Sequence, residues 1–188
     1  MTSPSAAAPV PDKTEAARNL GAALRSQRRG DQAWRLVLID GPNMSNLGEG
    51  GRDRRTYGTI NSIGELQGAA SALAEGIGAT MLTYQSNREG DIVQFIYDSA
   101  ERTDAYLINP AALTRRGAPC AIALSDSRRP YVELHFANIA AVGWSNGALI
   151  TRQASGVVMG LRHYSYFGAI FGLIGALDVG ALSTPRPD

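Results

Sequence analysis

Two residues with acid–base side chains, Glu133 and His135, lie two positions apart in the segment YVELHF. Residues spaced by two on a strand point to the same face of a sheet. A carboxylate beside an imidazole orients the ring and favours its protonated form, which is the form that a general acid needs. Because the rest of the segment is apolar, we interpret the pair as functional rather than as a solvated surface pair.

A second polar cluster follows the apolar run WRLVLID, in the segment DGPNMSNLGEGGRDRRTYG. Asp-Gly-Pro-Asn is a turn signal, and the glycines after it indicate a flexible loop. No Gly-Lys-Ser/Thr follows them, so the segment does not match a phosphate-binding loop. The loop brings together Asn43, Arg52, Arg54, Arg55 and Tyr57.

The elements that position these residues alternate along the chain. Continuous apolar runs predict buried strands, and apolar residues spaced by three and four predict helices between them. Strands are predicted at 34–40, 79–85, 105–110, 131–139 and 156–161, and helices at 14–28, 60–77, 90–102, 117–125 and 164–177.

Strands separated by helices of this length imply right-handed crossovers and a parallel sheet. We therefore predict an α/β fold, a flavodoxin-like doubly wound five-stranded parallel sheet with helices on both faces. Ligands of such sheets bind beyond the carboxyl ends of the strands. Function is therefore expected in the loops that follow the first, third, fourth and fifth strands.

The domain organisation predicted from the sequence has two parts. Residues 1–32 form an N-terminal extension, disordered where Ser, Ala and Pro dominate and then helical. We expect this extension to pack on a neighbour or to be mobile, and it shows no chemistry. Residues 33–188 form the main domain. The apolar window 166–182 is broken by Asp178 and is shorter than the ~20 residues of a membrane span, so we interpret it as a packed core helix.

Composition restricts the function classes. The chain has 188 residues with a net charge of +1, which predicts no nucleic-acid and no membrane partner. The single cysteine, Cys120, excludes an internal disulfide and suggests the reducing cytoplasm, and we interpret it as a core residue. With one Cys and two His, a zinc site of the Cys/His type is not expected.

Five motifs in order over residues 34–177 carry a resemblance to one family: IDGPNMSNLG, RDRRTYG, QSNREGDIVQFIY, LINPAALT and VELHFANI. They are similar to Asn-Gly-Pro-Asn-Leu-x-x-Leu-Gly, Arg-Glu-Pro-x-x-Tyr-Gly, Gln-Ser-Asn-x-Glu-Gly-x-Leu-x-x-x-Ile, Ile-Asn-Pro-x-x-x-Thr and Val-Glu-Val-His-Ile-Ser-Asn of the type II 3-dehydroquinate dehydratases, or type II dehydroquinases. The resemblance implies a lyase without a metal or organic cofactor. It also implies a small-molecule substrate, a cyclic or β-hydroxy carbonyl compound, and a homo-oligomer, a trimer or a dodecamer built from trimers.

The resemblance also implies roles for individual residues. Tyr57 matches the family's base, Arg52 its essential loop arginine and Asn43 its enolate-side asparagine, while His135 matches the general acid and Glu133 the residue that orients it. A two-residue insertion before Arg52 leaves Arg54 and Arg55 as alternative partners of Tyr57. Asn109 and Asn138 match residues on the substrate side.

These roles form a consistent mechanism. A tyrosine titrates near pH ~10, and a neighbouring guanidinium lowers its pKa, so Tyr57 can take a proton from the carbon next to a carbonyl. Asn43 donates a hydrogen bond to the enolate. His135, held by Glu133, gives a proton to the leaving hydroxyl. Closure of the glycine-containing loop expels water and strengthens the pairing of arginine and tyrosine.

The chain also departs from the family pattern. Arg115 replaces a histidine, Ala137 replaces a serine, two expected arginines are missing from AAVGWSNGALITR, and the turn Gly-x-Gly-x-x-Gly-Tyr reads GLRHYSY. In the family, several of these positions hold the carboxylate and hydroxyls of dehydroquinate. The changes predict a more apolar pocket through Ala137, Val142 and Trp144, with new polar contacts from Arg115, Arg162, His163 and Tyr164.

We therefore predict an acid–base lyase that removes a proton alpha to a carbonyl and eliminates water, or drives a related cyclisation or isomerisation. Its substrate is expected to differ from 3-dehydroquinate and to belong to specialised metabolism. Two alternatives stay open: an authentic 3-dehydroquinate dehydratase of the shikimate pathway, and a non-catalytic scaffold or binding module.

Overall fold

The computed structural model describes residues 13–49, 59–141, 143 and 146–182, and these residues contain five parallel strands and five α-helices. The strands pair in the order β2-β1-β3-β4-β5. They are β1 Arg35–Asp40, β2 Thr80–Gln85, β3 Ala105–Asn109, β4 Tyr131–His135 and β5 Gly156–Met159. The helices are α1 Lys13–Arg25, α2 Ile63–Ile77, α3 Glu89–Ser99, α4 Ala118–Asp126 and α5 Tyr164–Asp178.

The core lies on both faces of the sheet. Alternate residues of β1 point to opposite faces, so Leu36 and Leu38 pack with α2 and α5, while Val37 and Ile39 pack with α3 and α4. Cys120 of α4 is fully buried in the second of these clusters, which confirms its interpretation as a core residue. The prediction of a flavodoxin-like doubly wound parallel sheet is confirmed.

The register brings polar residues together at the carboxyl ends of the strands. Asp40, the last residue of β1, pairs with Asn109, the last residue of β3. Glu133 of β4 pairs with Ile108, and His135 pairs with Met159 of β5. Parallel strands end at a common edge, so these four strands present their polar termini on one side of the sheet.

Several element boundaries differ from the predicted ones, among them the end of α1 at Arg25 instead of residue 28 and the end of α3 at Ser99 instead of residue 102. Three of the differences have identifiable reasons. The helix predicted to begin at residue 60 begins at Ile63, because the Ser62 hydroxyl accepts the Glu65 backbone N–H at 3.0 Å and caps it. The fourth strand was predicted to continue to residue 139 but ends at His135. Beyond it the chain turns and accepts backbone hydrogen bonds from the turn that follows β5, which itself ends at Met159 instead of residue 161.

Helix α1 packs closely against α2. A Cβ on Gly21 would lie only 2.4 Å from the carbonyl oxygen of Leu73, and one on Gly76 would lie 2.6 Å from that of Arg18. At its amino end, Lys13 forms an ion pair with Glu65 at 2.7 Å and donates a hydrogen bond to the Thr59 carbonyl. The described part of the extension, from Lys13 onwards, therefore packs on its own domain, where the sequence suggested packing on a neighbour or mobility. The disorder predicted for the first residues concerns positions that lie outside the described residues, so it stays a prediction. The division of the chain at residues 32 and 33 stays a prediction.

The segment that follows α1 is tied to the end of α5 by a buried carboxylate. Arg28 donates to both oxygens of Asp178, at 2.7 and 2.9 Å, and the Trp34 indole donates to the same carboxylate at 2.8 Å. The hydrogen bond from Arg28 lowers the pKa of Asp178 to about 2. The acidic residue in the most apolar window thus serves the packing of a core helix, as predicted. Among the described residues, no helix has both the length and the apolar composition needed to cross a membrane.

We expect Gly21→Ala to destabilise the protein, because the new methyl group collides with a backbone carbonyl of α2. Overpacking of this kind costs about 1–3 kcal/mol. Gly172→Ala is the matched control, since it also lies within a helix but has open space around its Cβ position. The control is expected to be neutral or to stabilise by up to ~1 kcal/mol. Urea unfolding of both variants measures the difference, and equal effects would show that the α1–α2 contact is not close-packed.

Candidate active site

The acid–base pair predicted from the sequence is in contact at the end of β4. The Nε2 atom of His135 lies 2.7 Å from Oε1 of Glu133, and the Glu133 side chain is completely buried. His135 is only 5% exposed. The glutamate therefore holds the imidazole through its Nε2 atom. The catalytic role of the pair stays a prediction.

The second oxygen of Glu133 is bound by a residue that sequence reasoning did not select. Thr151 donates its hydroxyl to Oε2 of Glu133 at 2.5 Å. A buried carboxylate is unfavourable unless its oxygens receive hydrogen bonds. Thr151 lies in a short 3-10 turn before β5, eighteen residues from Glu133 along the chain. No local spacing signals such a contact.

The loop after β1 is held by a side chain from the loop after β2. Asn43 adopts a left-handed backbone conformation with φ 71°, which asparagine tolerates better than most residues. Its backbone N–H donates to Oδ1 of Asn87 at 2.9 Å, and Nδ2 of Asn87 donates to the Ser45 hydroxyl at 3.0 Å. Asn43 itself is exposed beside the strand end, where the enolate-side donor is predicted.

Asn109 lies at the end of β3 with its amide engaged by the protein. Its Nδ2 donates to the Tyr166 hydroxyl at 2.7 Å, and its Oδ1 accepts the Ala111 backbone N–H at 3.2 Å. The residue is only 3% exposed. The predicted substrate contact by Asn109 stays a prediction, and only a remaining lone pair of Oδ1 is left for it.

A fully buried carboxylate, Asp40, completes the floor of the site. It accepts hydrogen bonds from the Tyr166 hydroxyl at 2.6 Å and from the Gln67 amide at 3.0 Å. Burial raises the pKa of Asp40 to about 6, and the bonds from Tyr166 and Gln67 oppose that rise. Sequence reasoning treated Asp40 only as part of a turn signal.

The turn after β3 carries Arg115 to the surface. A cavity of about 240 Å³ opens beside it, lined by Ala111, Ala112, Thr114, Arg115 and Arg116. Thr114 is buried and donates its hydroxyl to the Ala111 carbonyl at 2.8 Å, which shapes the turn. The structure thus places Arg115 next to a concavity on the functional side of the sheet.

The chain after β4 and the chain after β5 lie against each other. Ala137 is half-buried, and the exposed Asn138 uses its Oδ1 to accept backbone N–H groups of the following turn at 3.2 and 3.3 Å. Arg162 donates its backbone N–H to the Phe136 carbonyl at 3.1 Å. His135 and Arg162 are therefore brought to the same end of the sheet.

Two further predicted contacts begin α5. The ring centroid of His163 lies 4.2 Å from that of Tyr164 and 5.8 Å from that of Phe167. Burial lowers the pKa of His163, as do the nearby cations Lys13 and Arg162, while Glu65 opposes them. The Nδ1 atom of His163 is buried and has no hydrogen-bond partner among the described residues. Tyr164 is 57% exposed.

Six residues considered from the sequence lie outside the described residues. They are Arg52, Arg54, Arg55, Tyr57, Val142 and Trp144. The predicted pairing of Tyr57 with an arginine, and the predicted apolar contribution of Val142 and Trp144, therefore stay predictions.

Comparison with known proteins identifies the family. The profile of the family described as Dehydroquinase class II matches residues 34–174. The chain belongs to this family. Among similar proteins, "Catabolic 3-dehydroquinase 1" of Aspergillus terreus is 35% identical over 136 residues, which cover 72% of this chain and 88% of that protein. The 3-dehydroquinate dehydratase of Prochlorococcus marinus is 34% identical over 144 residues, covering 76% and 96%.

The folds agree as well. The crystal structure of type II dehydroquinase from Propionibacterium acnes superposes with a TM-score of 0.68 at 26% identity, covering 76% of this chain and 99% of that one. The predicted resemblance is thereby confirmed, and so is the assignment of the chain to a family of dehydratases. The match to the dehydroquinase profile begins after α1, so this helix lies outside the matched region.

One departure from the dehydroquinase pattern, at Arg162, concerns the backbone conformation. Arg162 occupies a glycine position of that pattern, yet it adopts φ 56° in the left-handed region that favours glycine. A non-glycine residue there costs on the order of 1–3 kcal/mol. Ser165 takes the next glycine position, where its buried hydroxyl accepts the Leu161 backbone N–H at 3.1 Å. The turn is therefore kept with different side chains.

We expect Thr151→Val to destabilise the protein, because it leaves Oε2 of Glu133 buried without a donor. An unsatisfied buried acceptor costs about 1–3 kcal/mol, and more when it is charged. Thr151→Ser keeps the hydroxyl and is expected to retain most of the stability. Urea unfolding of the two variants checks this, and an equal loss in both would assign the effect to the lost methyl group instead.

We expect Asp40→Asn to change how stability depends on pH. The folded-state pKa of Asp40 is raised, so its favourable contribution is present below its ordinary pKa of 3.8 and is lost as the pH rises through about 6. Relative to the wild type, Asp40→Asn should therefore gain about 1–3 kcal/mol of unfolding free energy between pH 4 and pH ~7.5. Urea unfolding at both pH values measures the gain, and a constant difference between the two proteins would contradict it.

Proposed function

We propose that this chain is a lyase that removes a proton alpha to a carbonyl and eliminates water from a cyclic or β-hydroxy carbonyl substrate. The observation that carries the proposal is the buried group at the end of β4, in which Glu133 is bound by both His135 and Thr151. Such an arrangement holds an imidazole in one orientation at the edge of a sheet where ligands bind. It suits a general acid better than a residue with a packing role alone.

In this proposal His135 protonates the leaving hydroxyl while Glu133 keeps the ring in place. Asn43, exposed at the end of β1, donates a hydrogen bond to the enolate oxygen. The base is Tyr57, with its pKa lowered by Arg52, or by Arg54 or Arg55 because of the insertion. General acid–base steps of this kind contribute about 10²–10⁴-fold each.

We further propose that the substrate differs from 3-dehydroquinate. Ala137 at the end of β4 lacks the hydroxyl of the family's serine, and Arg115 beside the cavity replaces a histidine. Arg162 holds a strained backbone conformation next to the segment that follows His135, and strain of this kind is found at functional sites. A site built for one set of polar groups rejects ligands that leave them unpaired. The lost serine hydroxyl, with the predicted apolar contribution of Val142 and Trp144, favours a less polar substrate, of specialised metabolism, while Arg115 and Arg162 change the polar contacts.

A second candidate, an authentic 3-dehydroquinate dehydratase, is favoured by a separate observation. The similar proteins of Aspergillus terreus and Prochlorococcus marinus are named for activity on dehydroquinate, and each is matched over most of its length. In that case Arg115 and Arg162 would replace the missing contacts to the carboxylate and hydroxyls. The assembly into a trimer or dodecamer and the cytoplasmic location belong to both candidates as predictions.

The test is an absorbance assay for enone formation with 3-dehydroquinate and with a panel of less polar cyclic β-hydroxy ketones. We expect turnover of a panel member and a flat trace with dehydroquinate. His135→Ala should reduce turnover by about 10²–10⁴-fold. Arg152→Gln, a change at an exposed residue of the turn that contains Thr151, serves as the control and should leave turnover unchanged.

The other outcomes of the assay also distinguish between the candidate functions. Efficient turnover of 3-dehydroquinate would overturn the altered substrate and support the second candidate. Elimination that survives in His135→Ala would overturn the role of the histidine. A folded protein that turns over no member of the panel and no dehydroquinate would support a scaffold or binding module.

A further inference from the structure

A chain of hydrogen bonds runs beneath the candidate site and joins β1, β3 and α5. The Tyr166 hydroxyl lies 2.6 Å from Oδ1 of Asp40 and 2.7 Å from Nδ2 of Asn109, and Oδ1 of Asn109 lies 3.2 Å from the Ala111 backbone nitrogen. Asp40 and Tyr166 are completely buried, and Asn109 is nearly so. The proposed reaction uses neither Asp40 nor Tyr166.

The direction of this chain follows from the chemistry of its ends. A carboxylate only accepts hydrogen bonds, so Tyr166 must donate its single proton to Asp40. The phenol oxygen can then only accept, which requires the amide nitrogen of Asn109 to face it. At the other end a backbone N–H only donates, so the amide oxygen of Asn109 must face Ala111. Both ends therefore impose the same orientation on the Asn109 amide.

The chain contacts the loops that carry the predicted site residues. The amide nitrogen of Asn109 also lies 3.3 Å from the sulfur of Met44, the neighbour of Asn43. The amide oxygen binds Ala111 in the turn that leads to Arg115, and Ala111 has a strained φ of 49°. The Tyr166 ring packs against Phe136, the residue after His135, with their centroids 5.2 Å apart.

We propose that the Asp40 carboxylate, acting through Tyr166, fixes the orientation of the Asn109 amide and thereby holds the loops after β1 and β3 in the geometry that the reaction requires. Asp40 and Tyr166 are then positioning residues, and Asn109 acts mainly through the loops that it binds. The effect on turnover rests on the proposed function, whereas the orientation of the amide does not.

The residue at position 40 determines the direction of the chain. The dehydroquinase pattern has asparagine where this chain has Asp40. An asparagine both donates and accepts, so it would not force Tyr166 to donate. The groups that contact Asp40 are the Tyr166 phenol of α5 and the Gln67 amide of α2, and in the described part of the chain no charged side chain contributes to its pKa shift. A change in the protonation of Asp40 therefore acts directly on Tyr166.

The first experiment observes the amide without any substrate. In ¹⁵N-labelled protein, the side-chain NH₂ resonances of Asn109, assigned with Asn109→Asp, should shift with a midpoint near pH 6, where Asp40 titrates. The shift should disappear in Asp40→Asn and in Tyr166→Phe. It should persist in His135→Asn and in His163→Asn, which remove the two imidazoles of the chain. The proposal would be overturned if the pH-dependent shift of the Asn109 resonances persisted in Asp40→Asn, or if it disappeared in a histidine variant.

The second experiment measures turnover of the substrate found in the enone assay. Tyr166→Phe should lower kcat by about 10- to 100-fold, because displacements of about 1 Å at a site have effects of this size. Tyr106→Phe is the matched control, since Tyr106 is also completely buried but binds Ser99 on the other face of the sheet. The control should lose stability without losing kcat.

The double variant Asp40→Asn/Tyr166→Phe tests whether Asp40 and Tyr166 affect kcat through one chain of hydrogen bonds or independently of each other. Its kcat should equal that of Tyr166→Phe, because both changes break one chain. Equal kcat in Tyr166→Phe and Tyr106→Phe, both folded, would overturn the positioning role. If no compound is turned over, the proposed function fails, and the NMR titration still decides whether Asp40 orients Asn109.

Discussion

The carboxyl end of this sheet is organised by the need to satisfy two buried carboxylates with hydrogen bonds. Glu133 receives His135 and Thr151, and Asp40 receives Tyr166 and Gln67. Each carboxylate would be strongly unfavourable without these bonds. The donors come from different elements, so satisfying the carboxylates also brings those elements together.

The helix that precedes the family domain, α1, supports the same end of the sheet through its contact with the start of α2. Helix α1 lies outside the matched profile, yet close packing through Gly21 sets it against α2. Lys13 at its amino end binds Glu65, whose carboxylate also accepts the Asn61 backbone N–H at the start of α2. The extension is therefore part of the structure that supports the chain entering α2, and Arg28 secures its far end through Asp178.

The differences from the dehydroquinase pattern fall at the ends of strands, where they change side chains and keep the backbone path. Arg162 replaces a glycine of the pattern and keeps the left-handed backbone conformation. Ser165 replaces the next glycine, and its side chain is accommodated in a buried position. Glu133 and His135, the predicted general acid and the residue that orients it, are unchanged. Such a combination is expected when the chemistry is kept and the recognition of the ligand changes.

The sequence by itself determined the order of strands and helices, the two-sided core and the pairing of Glu133 with His135. These features depend on local periodicity and on spacing by two along a strand, which a single segment contains. The predicted ends of β4 and β5 lie a few residues beyond the observed ones, because hydrogen bonds between the two following turns end both strands.

Only the tertiary structure decided that Thr151 binds Glu133, that Tyr166 links Asp40 to Asn109, and that α1 packs on α2. Asp40 and Tyr166 are 126 residues apart in the sequence and meet because α5 packs beside α2 on one face of the sheet, where Tyr166 reaches the end of β1. Contacts of this kind depend on burial and on the direction of hydrogen bonds between distant segments. No local pattern of residue types contains that information.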